Sequence, residues 1–396
     1  MNIILFDEPT TKINLLPFTY TRPVAEIRIG ILTIKEKWER WFRADYSFLT
    51  EPYLAKKFPA QKSSKNLNLN GSVLPNPLLV RALGSLKENQ LLVKDQTPIA
   101  FYGDLESPGA LNDSTDHLQK VPFSHDLIMV EHVYDIFIHN GSIIRSDFEL
   151  LTNGRKSHPI ADPHTVSYNK KNIFFEENVD IKSSILNAEN GPIYIGANAA
   201  IGEGSIIRGN NAIGANTVLN FGTRIKGDST IGPYCKVGGE ISNSVIFGYS
   251  SKAHDGFLGN SVIGEWCNLG ADTNTSNLKN NYKNVKIWNY GQDQFVDTGK
   301  QFCGLMMGDH SKCSINTMFN TGTIVGVSAN IFGGGFPRTF IPSFSWGGFN
   351  GLTTYQFNKA LEVMPKVFER RKKILTEEDV ELLKHIFEVT EKYRSA

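Results

Sequence analysis

From Ile195 to Val237 every sixth residue is aliphatic: Ile195, Ile201, Ile207, Ile213, Leu219, Ile225, Ile231 and Val237. Four residues after each of the first seven stands a small or short side chain: Ala199, Ser205, Asn211, Thr217, Thr223, Ser229 or Cys235. A sustained period of six matches neither the helical nor the strand repeat. It predicts a β-helix of hexapeptide repeats, in which each hexad supplies one short strand and one tight corner. The aliphatic side chain points into a narrow prism. Three hexads close one coil, so Ile195, Ile213 and Ile231 should stack along one edge, and Ile201, Leu219 and Val237 along the next. The pattern returns at Ile263 and Leu269, and again at Met307, Cys313, Phe319, Val325 and Ile331. Between Asn274 and Leu305 no hexad is present, which predicts a long excursion from the prism. Around Lys252-Ala253-His254-Asp255-Gly256 the register slips. Regular coils offer only flat faces, so chemistry is expected at these two interruptions.

The rest of the chain is organised differently. Residues 1–172 alternate strand and helix cues, with a strand at Ile3–Phe6 and a helix over 34–43 carrying Trp38 and Trp41. They predict an α/β domain. The turn-rich stretch 152–172, with Gly154, Pro159 and Pro163, reads as the junction. The β-helix follows over 173–346, and helices over 347–396. In the last segment Thr376 is an N-cap before Glu377, Glu378 and Asp379, with Val380, Leu383 and Phe387 as the apolar face. Pro365 should kink or split the helix before it.

Composition narrows the function. The net charge of +1 over 396 residues argues against nucleic acid or an acidic membrane as the main partner. The N-terminus reaches Asp7 after four apolar residues, too few for a signal-peptide core, and no stretch has the length of a membrane span. Of the four cysteines, Cys235, Cys267 and Cys313 fall on hexad core or corner positions. They read as small buried thiols rather than a disulfide framework or a metal set, so the expected location is cytoplasmic. Only His254 and His310 are histidines of the β-helix. His254 sits at the register slip, where its ring can leave the prism and reach a substrate, or where it is simply a corner histidine in a loop. His310 sits in a regular hexad and reads as a solvent-facing residue.

The segment Ser251-Lys252-Ala253-His254-x-x-x-Leu258-Gly259, then Ile263-Gly264-x-x-x-Asn268-Leu269-Gly270-Ala271-x-Thr273, then Asn277 and Lys283, resembles the acyltransferase half of the GlmU-like family of bifunctional sugar nucleotidyltransferase/acetyltransferases. The resemblance covers roughly residues 176–335. The whole chain looks like the divergent GlmU-related group of Bacteroidetes-type bacteria. It implies a left-handed β-helix, a homotrimer, acetyl-CoA as cosubstrate, and N-acetylation of a sugar phosphate resembling glucosamine 1-phosphate. It makes His254 the base. Asn268, Asn277, Lys283 and Lys252 would hold the substrate, and Ser314 and Phe332 would line the acetyl-CoA channel. Moving an acetyl group from a thioester needs a base for the attacking amine and donors for the developing oxyanion.

Departures from the family pattern matter. Phe257 replaces an aromatic hydroxyl, Asn220-Phe221-Gly222 replaces an Arg-Pro-Gly, and Leu278 follows Asn277 in place of a tyrosine. Either phosphate recognition uses other cations, with Arg224, Lys236 and Lys252 as candidates, or the substrate differs from glucosamine 1-phosphate. In the N-terminal domain, Leu16-Pro17-Phe18-Thr19-x-x-Arg22-Pro23 and Tyr102-Gly103-Asp104 resemble nucleotidyltransferase segments. Arg22, Arg28 and Asp104 are the nucleotide-binding candidates, with Mg²⁺ if this half is active. No glycine lies between Asp7 and Ile29, so the usual phosphate-cradling loop is missing. Glu369-Arg370-Arg371-Lys372-Lys373 reads as a helix C-terminus, or as cations for the 3′-phosphate of CoA. His158-Pro159-x-x-Asp162-Pro163-His164 reads as linker before metal site. The competing functions are an acetyltransferase with or without nucleotidyl transfer, a UDP- or dTDP-forming nucleotidyltransferase that its β-helix only trimerises, and a non-catalytic scaffold.

Overall fold

The computed structural model describes residues 2–111, 115 and 118–394. The chain packs as two compact units. The first runs to His132 without Leu16–Tyr20 and Arg28–Ile31, and those two segments belong with Val133 onward to the second.

The first unit is a mixed sheet in the order Asp45–Leu49, Asn2–Phe6, Asn66–Asn70, Thr97–Tyr102, Gln90–Lys94, Gln119–Pro122. Asn2–Phe6 is parallel to both neighbours, and its apolar run Ile3–Phe6 is buried, as a strand covered on both faces requires. Thr97–Tyr102 is antiparallel to both strands that flank it. The helix expected from Ile34 spans Ile34–Trp41 and opens on a capping box of Thr33 and Glu36. Trp38 is buried there, its indole N–H donating to the Val73 carbonyl at 3.0 Å.

The second unit holds the β-helix. Its described strands form nine-, ten- and six-stranded sheets, the three faces of the prism. The predicted stacking holds: Ile195 pairs with Ile213 and Ile213 with Ile231, while Ile201 pairs with Leu219 and Leu219 with Val237. These side chains form one continuous apolar core. The first paired strand is Val166–Tyr168, so the prism begins ahead of residue 173, and the helix Asp135–Thr152 belongs to this unit rather than to the α/β one. Asp162 sits in a turn, where its carboxylate accepts from the Thr165 hydroxyl at 2.7 Å and from Ser183 N–H at 2.9 Å.

The excursion folds as an antiparallel hairpin of Lys286–Asn289 and Gln294–Asp297. All four cysteines are free and buried. The helix containing Pro365 is not split, and runs from Phe357 to Glu369. The next helix, Glu377–Val389, starts on the Thr376–Asp379 capping box. No helix among the described residues is long and apolar enough to cross a membrane.

The register slip has a definite form. Leu219 pairs with Val237 eighteen residues on, but Val237 pairs with Lys252 after only fifteen. Much of the shortening lies in one corner. Leu219 and Ile225 are inward residues six apart, whereas their partners Val237 and Ile241 are four apart. Gly238 and Gly239 make this short corner. A Cβ on Gly238 would lie 2.3 Å from the Ala253 carbonyl oxygen, and one on Gly239 2.9 Å from Asp255 Cα. Gly239 also has φ +77, a conformation that suits glycine. The missing residues therefore leave a notch, and the His254 corner closes down into it.

Candidate functional site

The notch sets His254. Its corner joins the strand Ser251–Lys252 of the second face to Phe257–Gly259 of the third. Four successive carbonyls of that corner are hydrogen-bonded. Asn220 Nδ2 donates to Ala253 at 2.6 Å, reaching across the short coil, and Lys252 Nζ donates to His254 at 2.8 Å. Asp272 N–H donates to Asp255 at 3.0 Å and Glu240 N–H to Gly256 at 3.2 Å. The carbonyls of the corner are tied, while the His254 side chain is exposed and has no partner among the described residues.

Lys252 is placed differently from expectation. It follows Val237 in the inward stack and is only 2% exposed, so its ammonium lies inside the prism and away from any substrate in solvent. Besides the His254 carbonyl it donates to Gly238 at 3.0 Å. Burial pulls its pKa down to about 8, against an ordinary 10.5. Its geometry is that of a brace for the His254 corner, and Asn220, standing where the family carries arginine, is a second brace.

The other candidates divide between faces. Asn277 donates to Asn260 Oδ1 at 2.8 Å. It meets the Phe257 ring over Gly259, where an added Cβ would lie 2.5 Å from Phe257 Cζ and 2.7 Å from Asn277 Nδ2. Asn268 is exposed on the outer side of the second face, in register between Ser251 and Lys312. Lys283 lies exposed in the excursion. Ser314 and Phe332 share the prism edge of Ala253. Gly238 N–H bonds to Lys252, Gly270 N–H to Cys313 and Ser314 N–H to Ile331, stacking this corner coil on coil. Ser314 therefore stands two coils beyond Ala253, roughly 10 Å at the spacing of paired strands.

His310 is not solvent-facing. It is buried in a row of left-handed corner residues that includes Asn178, Asn198 and Asn216 and continues as Tyr234, Tyr249, Trp266 and His310. The rings stack, with centroids 5.1 Å apart for Tyr234–Tyr249 and 4.4 Å for Tyr249–Trp266. Phe368 from the C-terminal helix covers Trp266 at 4.0 Å. The signal in the sequence is an aromatic residue at coil-length intervals in corner positions that asparagine fills elsewhere.

In the first unit the turn after Asn2–Phe6 is filled from within. Asp7 is buried, and its carboxylate accepts from Val24 N–H at 2.8 Å, the Thr50 hydroxyl at 2.5 Å and Lys12 Nζ at 2.9 Å. Glu8 accepts from Thr10 and Thr11 N–H at 3.2 and 2.7 Å. Amides that a glycine loop would turn toward a nucleotide phosphate thus meet the chain's own carboxylates. Arg22 is buried in this unit, and exposed Asp104 pairs with Lys62 at 2.9 Å. In the second unit Arg28 donates to the Ile31 and Phe247 carbonyls at 2.6 and 3.1 Å. Among the described residues no group of three or more His, Cys, Asp or Glu is placed to hold a metal.

Residues 3–156 match the family model described as sugar nucleotidyl transferase. The chain is 34% identical over 95 residues to a bifunctional sugar-1-phosphate nucleotidylyltransferase/acetyltransferase of Sulfurisphaera tokodaii, covering 24% of this chain and 23% of that protein. It is 36% identical over 87 residues to the bifunctional protein GlmU of Methanocaldococcus jannaschii, covering 22% and 21%. The matched stretch thus spans only about a fifth to a quarter of these relatives' length. Among solved structures, the polySia specific acetyltransferase NeuO is similar at 13% identity and a TM-score of 0.27, over 49% of this chain and 84% of that one. Arabidopsis UDP-N-acetylglucosamine acyltransferase is similar at 15% identity and a TM-score of 0.18, over 53% and 78%. These two superpositions are too loose to carry a functional argument.

Proposed function

We propose that the β-helix is an acetyl-CoA-dependent N-acetyltransferase of an amino-sugar phosphate, working in nucleotide-sugar biosynthesis. The observation that carries this reading is the His254 corner, with every carbonyl tied and the imidazole free. The amine nitrogen attacks the thioester carbonyl and the C–S bond breaks. The proton lost from the amine goes to the His254 imidazole, and CoA leaves as the thiolate. Asn277 and Phe257 beside this corner are the residues for the sugar, and Ser314 and Phe332 along the same edge are those for the thioester. That edge is apolar on its outside, with Phe221 80% and Ile315 64% exposed, which suits burial against a second and third copy in a homotrimer. The Sulfurisphaera tokodaii relative is named for both nucleotidyl transfer and acetyl transfer, which supports the same pairing here.

The test is incubation with acetyl-CoA and a panel of amino-sugar phosphates. His254→Ala should lower transfer by roughly 10²–10⁴, the usual contribution of a general base. Full activity in that variant, or no transfer by the parent protein to any member of the panel, overturns the reading.

A second reading is sugar-1-phosphate nucleotidyl transfer with Mg²⁺ in the first unit, favoured by the family match over residues 3–156. Arg22 and Asp104 are its candidates, and the self-occupied turn at Asp7 and Glu8 weighs against it. UTP or dTTP with sugar 1-phosphates and Mg²⁺, assayed for pyrophosphate release, decides it. Arg22→Ala should abolish any release without altering acetylation.

A further inference from the structure

The outer row of the second face places Lys236, Ser251, Asn268 and Lys312 side by side in register. Across from them the chain leaves the helix Phe357–Glu369 as Arg370 and Arg371. Together they line a cavity of about 330 Å³ with Tyr249 and Trp266 in its wall, and no carboxylate lines it. Lys236 and Arg370 have no partner among the described residues. Arg371 donates only Nε, to the Tyr234 carbonyl at 3.2 Å, so its two terminal nitrogens are uncommitted. Lys312 donates to the His310 carbonyl at 3.0 Å, and burial lowers its pKa.

Four cations around one small cavity repel each other and raise the local potential for an anion. Arg370 and Arg371 carry planar forks that match phosphate oxygens, and the two lysines supply point charges. Ser251 and Asn268 add neutral donors and acceptors. Ring stacking of Trp266 on Phe368 holds the helix end against the strands, and with it the two arginines.

We propose that this cavity binds the phosphate of a small phosphorylated ligand. The identity of that ligand as sugar phosphate or coenzyme rests on the acetyltransferase reading, since Ser251 is three residues from His254 and thus within about 10 Å of it along the chain. The cations around the cavity call for an anion whatever the chemistry at His254.

Titration calorimetry of the full chain with inorganic phosphate, glucosamine 1-phosphate and adenosine 3′,5′-bisphosphate tests the proposal. At least one probe should bind at low salt and weaken at high salt. Arg370→Ala with Arg371→Ala should weaken it by about ten- to a hundredfold, and Lys236→Ala alone by about tenfold. Arg208→Ala, an exposed cation on the third face, should change nothing. Thermal unfolding confirms that each variant is folded. Preference for the sugar phosphate assigns the cavity to the acceptor, and preference for the bisphosphate assigns it to the coenzyme. No binding of any probe, or equal binding by parent and cavity variants, overturns the proposal. Binding that depends on these cations without any acetyl transfer leaves the cavity standing and removes the acetyltransferase reading.

Discussion

Two turns follow strands at which chemistry was expected, and they are built in opposite ways. After Asn2–Phe6, side-chain carboxylates of Asp7 and Glu8 satisfy backbone amides. After Ser251–Lys252, side-chain donors from Asn220 and Lys252 satisfy backbone carbonyls. In the first turn the polar side chains are consumed by the fold. In the second the polar side chain at the tip, His254, is left over. A residue is available to a ligand when the backbone around it is already satisfied by something else, and the two turns differ in just that respect.

Substitutions sharpen this contrast. Lys12→Ala removes the cation of a buried pair whose side chains are 4% and 1% exposed, and leaves Asp7 charged and unpaired. It should destabilise the first unit by about 3–5 kcal/mol, read from urea unfolding. His254→Ala should change the unfolding free energy by no more than about 0.5 kcal/mol, as for an exposed side chain with no bond to lose. If Lys12→Ala proves neutral, the first turn is not internally satisfied and the contrast fails.

Lys252→Met separates the brace from the base through pH. Below pH 8 Lys252 is charged in both folded and unfolded states, and the cost of burying the ammonium is present in full. Between about 8 and 10.5 the folded form releases its proton first, so stability from this group rises. The buried thiols act oppositely: burial pushes Cys235 and Cys303 up to about 12 from 9, so their contribution falls above pH 9. Measured against Lys252→Met, which keeps the thiols, the parent protein should gain about 2 kcal/mol between pH 7.5 and 9.5. A flat difference would mean that Lys252 is solvated and the corner is held without it.

Asn220→Ala removes one bond to the His254 corner from two coils away. Stability should fall by about 1 kcal/mol. If Asn220 positions the base, kcat for acetyl transfer should fall severalfold with KM unchanged, and a fall in KM affinity alone would exclude that role. Thr376→Ala should cost about 1 kcal/mol or less, from loss of the capping box of the last long helix, with no change in either activity.

The hexads made the prism legible, because every inward side chain repeats and each coil pairs with its neighbours. His254 was legible for the complementary reason, as the polar residue at a break. What lay out of sight was carried by bonds between coils. Lys252 sits at an inward hexad position, and nothing local distinguishes a lysine that faces core from one that faces solvent. His310 obeys the period, but its corner is covered by Phe368, a residue fifty-eight positions away. The glycines at 238 and 239 look like ordinary turn residues until the carbonyl of Ala253 is placed against them.

A stack of near-identical coils has a problem of alignment. Neighbouring hexads resemble each other, so a chain that docks one coil too early or too late buries almost the same aliphatic surface. The fifteen-residue coil from Val237 to Lys252 removes that degeneracy. Only one alignment puts two glycines under the Ala253–Gly256 corner and two carbonyls within reach of the buried ammonium. Any slipped arrangement strands a charge in the core and drives a Cβ into a backbone oxygen. The irregularity that leaves a histidine side chain exposed also works as a key that admits a single threading of the coil during folding.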